Sequence, residues 1–253
     1  MHVIENRSYW DARAHDWVAA GERSWALDEP AWGVWGVSEA ELGLLPADMR
    51  GLRAIELGCG TGYVSGWMAR RGATVTAIDN SAEQLATARR LADQYGAEIT
   101  FLHGDAERVA LPEGSFDFAI SEYGAAIWCD PRVWIPEAHR LLTPGGRLVF
   151  LGNHPLVTAC TPPDGSPVSE RLVRPYFGQH ASDWTQAAVD PGGIEFNLTI
   201  SDWFALFGAV GFTVEGYLEP RPSQGGSEVR FFATADWARR YPSEQVWKLR
   251  KAP

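Results

Sequence analysis

Three glycines after a short apolar run are the residues of this chain best suited to chemistry. Gly58, Gly60 and Gly62 lie in Ile55-Glu-Leu-Gly-Cys-Gly-Thr-Gly62, and the apolar run before them is Arg53–Leu57. Because glycine has no Cβ, this spacing lets the backbone turn sharply and approach a bound ligand closely. If Arg53–Leu57 is the first strand of a parallel sheet, the glycines lie at the edge where such sheets bind ligands.

Acidic residues follow the next two apolar runs. Asp79 ends the run Ala73–Ile78, and Asp105 comes shortly after the run Glu98–Leu102. A carboxylate at the end of the second strand is placed to accept hydrogen bonds from ribose hydroxyls, which predicts a nucleoside-containing cofactor. The dinucleotide fingerprint G-x-G-x-x-G does not fit, because its third glycine would be residue 63, which is Tyr63.

The pattern instead resembles the first motif of the class I S-adenosylmethionine-dependent methyltransferases, in which an acid, here Glu56, precedes G-x-G-x-G. Four further segments resemble the motifs of that family in the same order: Asp79, Gly104-Asp105-Ala106-Glu107, Phe116-Asp117-Phe118-Ala119-Ile120 and Leu141-Leu-Thr-Pro-Gly-Gly-Arg-Leu-Val149. The resemblance covers residues 52–152 and, by topology, 200–235. It is closest to the small-molecule branch that includes quinone methyltransferases.

The resemblance implies a cofactor-binding role for these positions. The methionine part of the cofactor would lie over the glycine loop, where backbone N–H groups and a helix N-terminus favour its carboxylate. Glu56 would support the loop or meet the ammonium group, Asp79 would hold the ribose diol, and Asp105 would accept from the adenine amine. The implied cofactor-binding residues are Tyr9, Trp10, Trp32, Trp35, Glu56, Gly58, Cys59, Gly60, Gly62, Asp79, Asn80, Asp105, Ala106, Glu107, Ser121 and Glu122.

Aromatic residues are concentrated ahead of the glycine run. Tyr9, Trp10 and Trp17 have helical spacing, and Trp32 and Trp35 follow them. Related enzymes use N-terminal aromatics as a cover, which excludes water and offers ring faces to a sulfonium. The alternative is that these rings only pack an N-terminal helix into the core, and both interpretations stay open.

A general base is needed only if the methyl acceptor loses a proton during transfer. The predicted base is His154, which follows the fifth predicted strand and has an imidazole that titrates near neutral pH. Tyr123, which follows the fourth predicted strand, is the second catalytic candidate, and His180 is a third. For each histidine the alternative is a purely structural role.

The elements that position these residues alternate between strand and helix patterns, which predicts right-handed βαβ units and a parallel sheet. The expected fold is α/β, with a Rossmann-like, mostly parallel sheet of seven strands, helices on both faces and an antiparallel last strand. The predicted helices cover 63–71, 81–95, 131–142 and 201–210, the last capped by Ser201. The later predicted strands are 115–121, 147–151, 212–218 and, as the antiparallel partner of the last of these, 228–234. The tail from Asp236 is predicted to be helical or irregular.

The chain is expected to form a single domain. Residues 1–50 would form a helical cover, 51–152 the cofactor-binding core, 153–200 a proline-rich lid over the substrate, and 201–253 the C-terminal end of the core. Three aromatic residues of the lid, Phe177, Trp184 and Phe196, predict an apolar acceptor pocket.

Composition excludes several classes of partner. The 253 residues include 22 Lys and Arg against 32 Asp and Glu, for a net charge of −10. This charge argues against binding of nucleic acid or of an anionic membrane surface. Three scattered cysteines predict neither a disulfide scaffold nor a metal site. No signal peptide or transmembrane run is visible, so a cytoplasmic protein is expected.

The sequence thus predicts an enzyme that transfers a methyl group from S-adenosylmethionine to a small, hydrophobic or aromatic molecule. One alternative is a nicotinamide-dependent oxidoreductase on a similar sheet. A second alternative is a non-catalytic cofactor-binding domain of the same fold. No carboxylate cluster for a metal-assisted transfer is apparent, and the sequence makes no prediction of oligomeric state.

Overall fold

The centre of the computed structural model, which describes residues 1–189 and 191–253, is a seven-stranded sheet. Its strands are β1 (Arg53–Leu57), β2 (Thr74–Asp79), β3 (Ile99–His103), β4 (Phe116–Glu122), β5 (Leu142–Asn153), β6 (Phe212–Leu218) and β7 (Glu244–Lys251). They lie in the order β6-β7-β5-β4-β1-β2-β3. Only β7 is antiparallel to its neighbours. The predicted fold class, with its antiparallel last strand, is confirmed.

Helices cover both faces of this sheet, as predicted. They are α1 (His2–Arg13), α2 (Val18–Trp25), α3 (Glu39–Leu42), α4 (Tyr63–Arg70), α5 (Ala82–Tyr95), α6 (Ala125–Trp128), α7 (Pro131–Leu141), α8 (Pro155–Cys160), α9 (Ile200–Val210) and α10 (Ala235–Ala238), with a 3-10 turn at Ala14–Trp17. Because side chains alternate along a strand, each sheet face builds its own core. One core includes Trp67 and Trp237, and the other includes Trp134, Trp203 and Phe207.

Within the described residues, three short hairpins lie outside the sheet. They pair Ala31–Trp32 with Val37–Ser38, Ala181–Asp183 with Ile194–Phe196, and Val229–Arg230 with Ala233–Thr234. The first belongs to the N-terminal segment and the second to the proline-rich segment. All three lie outside the seven strands that place the glycine loop.

Helix ends follow the capping residues of the sequence, with one correction. Ser81 caps α5 through a bond from the Gln84 N–H to its hydroxyl, and the helix ends at Gly96 in the left-handed conformation. The cap predicted at Ser201 is wrong, because Thr199, two residues earlier, accepts the Asp202 N–H and caps α9. Thr199 and Ser201 both carry a hydroxyl group, so residue type alone does not show which of them caps the helix.

The prediction of residues 228–234 as the antiparallel partner strand is wrong. Those residues form only the last short hairpin, and the strand between β5 and β6 is β7, in the tail predicted to be helical or irregular. Its apolar residues, Val246, Trp247 and Leu249, are fully buried. The intervening Lys248 donates to the carbonyls of α3 and the residue after it, Gly43. Hydrogen-bond partners of this kind allow a strand inside the sheet to contain charged residues. The polar composition of the tail therefore did not indicate that β7 is a strand.

The N-terminal helix α1 is bound to the carboxyl-terminal edge of the sheet by two asparagines. Asn6 is buried; its side chain donates to the carbonyls of Trp128 and Ile194 and accepts the Ile194 N–H. Asn80, just after β2, donates to the Val3 carbonyl and accepts from the Arg7 guanidinium. These contacts place α1 over the strand ends where the predicted site lies.

No helix of the residues described combines the length with the apolar character that crossing a bilayer requires.

Candidate active site

A cavity of about 360 Å³ opens at the carboxyl ends of β1, β2, β4 and β5. Strand ends, the loops that follow them, α1 and the proline-rich segment all contribute to its wall. The predicted residues that line it are Tyr9, Trp10, Glu56, Gly58, Cys59, Gly60, Asp79, Asn80, Asp105, Ala106, Glu122 and Tyr123.

The glycine loop requires glycine for two different reasons. Gly58 and Gly60 have φ values of +76° and +51°, a region that other residues rarely adopt. A Cβ on Gly58 would lie 2.6 Å from the backbone nitrogen of Ala125, so this glycine lets the loop pack on α6. A Cβ on Gly60 would meet nothing within 4 Å, so this glycine leaves the backbone open to the cavity. Gly62 packs against α5 and does not line the cavity.

Asp79 couples the end of β2 to the glycine loop. Its Oδ2 accepts the Gly60 N–H at 2.7 Å, and its Oδ1 accepts the Ser81 N–H at 2.8 Å. Burial raises the pKa of Asp79 above its ordinary value, although these backbone bonds oppose the shift. Asp105, after β3, accepts the Glu107 N–H with one oxygen, and its side chain also faces the cavity.

Glu56 holds the loop from beneath. Its Oε2 accepts both the backbone N–H and the hydroxyl of Ser65, in the first turns of α4. Complete burial raises the pKa of Glu56 well above its ordinary range, and the nearby Glu122 carboxylate adds to the shift.

Two predicted cofactor residues have other partners. Glu107 accepts from the His2 imidazole at 2.7 Å and from the Asp130 N–H at 2.6 Å, away from the cavity lining. The Ser121 hydroxyl is buried and donates to the Leu57 carbonyl. The Glu107 side chain connects segments around the site, the Ser121 side chain connects β4 to β1, and neither residue lines the cavity.

The structure places the rings of Trp32 and Trp35 in the core, which supports the packing interpretation for them. Trp32 donates to Glu39 and packs edge-on against Trp67, and Trp35 donates to the Ser243 hydroxyl. The backbone between these two tryptophans lines the cavity instead.

His154, the predicted base, is not brought to the cavity. It caps α8 by accepting the Leu156 N–H at Nδ1, and its Nε2 lies 3.3 Å from Glu219. Burial lowers the pKa of His154 to about 4, although Glu219 opposes that shift. His180 also lies outside the lining, with its Nε2 2.9 Å from Asp130.

A row of aromatic rings covers one side of the cavity. Trp128 stacks with Tyr9 at 5.7 Å and meets Trp10 edge-on at 5.1 Å. Trp10 contacts Trp17, which in turn stacks on Phe231 with an interplanar angle of 3°. The structure thus brings Tyr9 and Trp10 to the predicted cover position. Of the three lid aromatics, only Trp184 lines the cavity.

The far end of the cavity contains two tyrosine–glutamate pairs. The Tyr63 hydroxyl donates to Glu122, and the Tyr123 hydroxyl donates to Glu244 at 2.7 Å. Glu122 also accepts the Gly33 N–H, and Glu244 the Val34 N–H, both at 2.8 Å. Two consecutive backbone donors of the N-terminal hairpin therefore bind two buried carboxylates.

Charge within the cavity is one-sided. Five carboxylates contribute to the lining, and none of the lining residues in the described part of the chain is lysine, arginine or histidine. The acidic residues are Glu56, Asp79, Asp105, Glu122 and Glu195. This composition favours a ligand that carries positive charge or hydrogen-bond donors, and it disfavours a pyrophosphate.

Comparison with known proteins identifies the fold and a methyltransferase domain within it. Residues 55–150 match the family model described as a methyltransferase domain. A crystal structure of an S-adenosylmethionine-dependent methyltransferase from Mesorhizobium loti superposes with a TM-score of 0.65 and 26% identity, over 87% of this chain and 100% of that one. Residues 55–150 therefore form a methyltransferase domain, on a fold that this chain shares with an S-adenosylmethionine-dependent methyltransferase.

Two methyltransferases that resemble this chain in sequence match it over only part of their own length. The malonyl-[acyl-carrier protein] O-methyltransferase of Pectobacterium atrosepticum is 40% identical over 44% of this chain and 42% of its own. The demethylmenaquinone methyltransferase of Thermus thermophilus is 36% identical over 45% of this chain and 50% of its own. The chain therefore spans half or less of these two relatives.

The end of the cavity with the two tyrosine–glutamate pairs contains residues that the sequence did not single out. Glu244 was missed because β7 was not predicted, and the alternation of apolar and charged residues from Trp247 to Arg250 was the available signal. Tyr63 was noted only as a mismatch to another fingerprint. Among the described residues, no group of three or more His, Cys, Asp or Glu is arranged to hold a metal ion.

Proposed function

We propose that this chain transfers a methyl group from S-adenosylmethionine to a small molecule with an apolar or aromatic body. The observation that carries the proposal is the open glycine backbone at Gly60, held by Asp79, in a cavity lined by acids and without lysine, arginine or histidine among its described lining residues. A cofactor with a sulfonium and an ammonium group suits such a lining, because both groups are cationic.

The residues fit the parts of S-adenosylmethionine, which when bound supplies an electrophilic methyl group. Gly60 leaves space against the backbone for the methionine part, Glu56 supports this loop from beneath, and Glu122 lines the same cavity, where it would accept from the ammonium group. Asp79 has lone pairs beyond its two backbone bonds and would accept from the ribose hydroxyls. Asp105 would accept from the adenine amine in the same way.

A nicotinamide dinucleotide fits less well. Its pyrophosphate would carry two negative charges to the start of α4, where Tyr63 stands in place of the third fingerprint glycine. The hydroxyl of Tyr63 is bound there to Glu122, and Glu56 lies behind it. Burying phosphates beside carboxylates without a cation is strongly unfavourable.

The aromatic row from Trp128 to Phe231 supports an acceptor with an apolar or ring-shaped body. The name of one partial relative, a demethylmenaquinone methyltransferase, is consistent with such an acceptor. The expected result is a water-excluding pocket, which methyl transfer uses mainly for proximity and alignment.

Calorimetric titration with S-adenosylhomocysteine and, separately, with NADH tests the proposal. We expect S-adenosylhomocysteine to bind and, at 100 times its dissociation constant, to stabilise the fold by about 2.7 kcal/mol. NADH should leave both heat and melting temperature unchanged. Binding of NADH alone would contradict the proposal and favour the oxidoreductase alternative.

Turnover separates an enzyme from a binding domain of the same fold. A radiolabelled methyl group should appear on members of an aromatic small-molecule panel. Binding of S-adenosylhomocysteine without turnover on any acceptor would favour the non-catalytic alternative.

A further inference from the structure

The tyrosine–glutamate pair farthest along the chain has the features of a proton acceptor. Tyr123 lines the cavity, and its hydroxyl donates to Glu244 Oε1 at 2.7 Å. Glu244 lies one layer behind, fully buried at the start of β7. Any proton that leaves the cavity wall at Tyr123 therefore has a carboxylate directly behind it.

One oxygen of the Glu244 carboxylate lacks a hydrogen-bond donor among the described residues. Its Oε1 accepts from Tyr123 and from the Val34 N–H, but its buried Oε2 has no hydrogen-bond partner among the described residues. A buried carboxylate without a cation or a full set of donors is costly, so such a group usually has a role beyond packing. Gly33 makes room for it, because a Cβ there would lie 2.9 Å from Oε2.

Tyr123 is held in a conformation that costs free energy. Its φ of +54° lies in the left-handed region, which is unfavourable for a residue with a Cβ. Residues held in this way cluster at functional sites, where the surrounding structure stabilises them. Here the Tyr123 phenol lies at the cavity wall and donates to Glu244 behind it.

We propose that Tyr123 and Glu244 take up the proton of the methyl acceptor, and that this acceptor is a proton-bearing nucleophile, an amine or a hydroxyl compound. The inference rests on the proposed methyl transfer. Tyr123 is the catalytic residue, since it faces the cavity, and Glu244 is a positioning residue that receives the proton through it. A carboxylate acceptor would need no base and would be repelled by the acidic lining.

The transfer balances with these groups alone. A lone pair of the acceptor nitrogen or oxygen bonds to the methyl carbon, and the carbon–sulfur pair stays on sulfur as a neutral thioether. The acceptor proton passes to the Tyr123 oxygen as the Tyr123 proton passes to Glu244. Tyr123 stays neutral throughout, in keeping with the burial that raises its pKa well above the ordinary value.

Other titratable groups near Glu244 do not offer the same route. From the end of β4, Glu122 faces it, with both oxygens already bound to Gly33 and Tyr63. Glu195 is bound by the amide of Asn153, which lies opposite Glu244 in the register of β5 and β7. His154 follows the end of β5, and its imidazole is directed to Glu219. Burial raises the pKa of Glu244 to about 7, so its carboxylate can hold or release a proton near neutral pH.

An infrared titration of the protein saturated with S-adenosylhomocysteine tests the proton acceptor without a known substrate. The difference between the spectra of wild type and Glu244→Gln identifies the carboxylic-acid band of Glu244. This band should disappear as the pH is raised, with a midpoint near pH 7. Glu39→Gln is the matched control, because Glu39 is also buried but is paired with Arg71 away from the cavity. That control should keep the neutral-pH titration. A Glu244 band that titrates below pH 5 would overturn the proposal.

Three indole compounds that differ only in their polar group test the acceptor class. Tryptamine, tryptophol and indole-3-acetate should be titrated into the same complex. The amine or the alcohol should bind at least tenfold more tightly than the carboxylate, and tightest binding of indole-3-acetate would overturn the proposal. If none binds, the infrared titration decides.

For any compound that is methylated, the variants should separate base function from folding. Glu244→Gln and Tyr123→Phe should lower kcat by about a hundredfold or more, the usual contribution of a general base. Glu244→Gln should also remove the rise of kcat up to pH 7. Wild-type kcat and pH profile in Glu244→Gln would overturn the proposal. Failure of wild type to bind S-adenosylhomocysteine would instead count against the proposed function, and retained binding in both variants shows that they fold.

Discussion

The two halves of the cavity are built in different ways. The cofactor half comes from one stretch of chain, with Glu56, Gly60, Asp79 and Asp105 at successive strand ends. The acceptor half is assembled from distant segments, because Tyr123 meets Glu244 across 121 residues and Val34 meets Glu244 across 210. A site made by neighbouring βαβ units can be recognised from sequence spacing, whereas one made by long-range contacts needs the fold first.

The largest expected effect is in the cofactor half, at Gly58. Gly58→Ala should destabilise the fold by about 1–2 kcal/mol from its left-handed backbone and a further 1–3 kcal/mol from the clash with Ala125. Loss of S-adenosylhomocysteine binding should accompany this change. Chemical denaturation and calorimetry measure the two effects.

Gly145→Ala is the matched control, because Gly145 has the same φ of +76° but nothing within 4 Å of its Cβ position. It should show only the backbone cost and bind the ligand normally. Equal destabilisation by both variants would show that packing against α6 is unimportant.

The next largest effect is the pH dependence of the acceptor half. Glu244 has a pKa of about 7 in the folded chain against an ordinary value of 4.5, so the folded state binds more protons between these values. The free energy of unfolding should therefore fall as pH rises from about 4.5 to about 7, by a total of about 3 kcal/mol from this residue.

Comparison of wild type with Glu244→Gln isolates that contribution, because the other buried acids remain in both proteins. Denaturation at a series of pH values should give the variant the shallower decline. Parallel curves would contradict the assignment of this slope to Glu244.

A smaller effect is expected for Asp79→Asn. The amide keeps the shape of the side chain but loses the charge and one of its acceptor oxygens. Hydrogen bonds to charged groups contribute about 1.5–3 kcal/mol, so affinity for S-adenosylhomocysteine should fall by about 10–100-fold. Asp117→Asn, at a partly exposed pair with Arg53 outside the cavity, should leave affinity unchanged.

The smallest effect concerns the aromatic row. Phe231→Ala removes a ring that lines the cavity, and contact between two aromatic rings contributes about 1 kcal/mol, so the KM for an aromatic acceptor should rise about fivefold. S-adenosylhomocysteine affinity should not change. Phe177→Ala removes an exposed ring away from the cavity and should alter neither quantity. An equal change of KM in both variants would show that Phe231 does not contact the acceptor.

The sequence predicted the parallel strands of the sheet, and it placed the glycine loop and Asp79 at strand ends, because the determinants of these features are local. Glycines that need positive φ, an acid at a strand end and buried apolar runs each have a short-range cause. Trp32 and Trp35 show the limit, since residue type indicated an aromatic cover whereas the backbone between these rings makes the contact. His154 shows another, because its position after β5 was predicted but its burial as a helix cap was not.

The acceptor half escaped prediction for a related reason. Glu244 begins a strand whose charged residues find partners only in the folded chain, and Lys248 is the clearest example. Nothing near residue 244 in sequence indicates that Tyr123 and Val34 lie beside it. Long-range pairing of this kind becomes visible only with the tertiary structure.

The most direct test of the central claim, that both halves serve one reaction, is a crystal structure of the chain with S-adenosylhomocysteine. Ribose hydroxyls should lie within hydrogen-bond distance of the Asp79 carboxylate, and the sulfur should be directed toward the end of the cavity that holds Tyr123 and Glu122. A ligand bound elsewhere, or a sulfur directed away from that end, would contradict it.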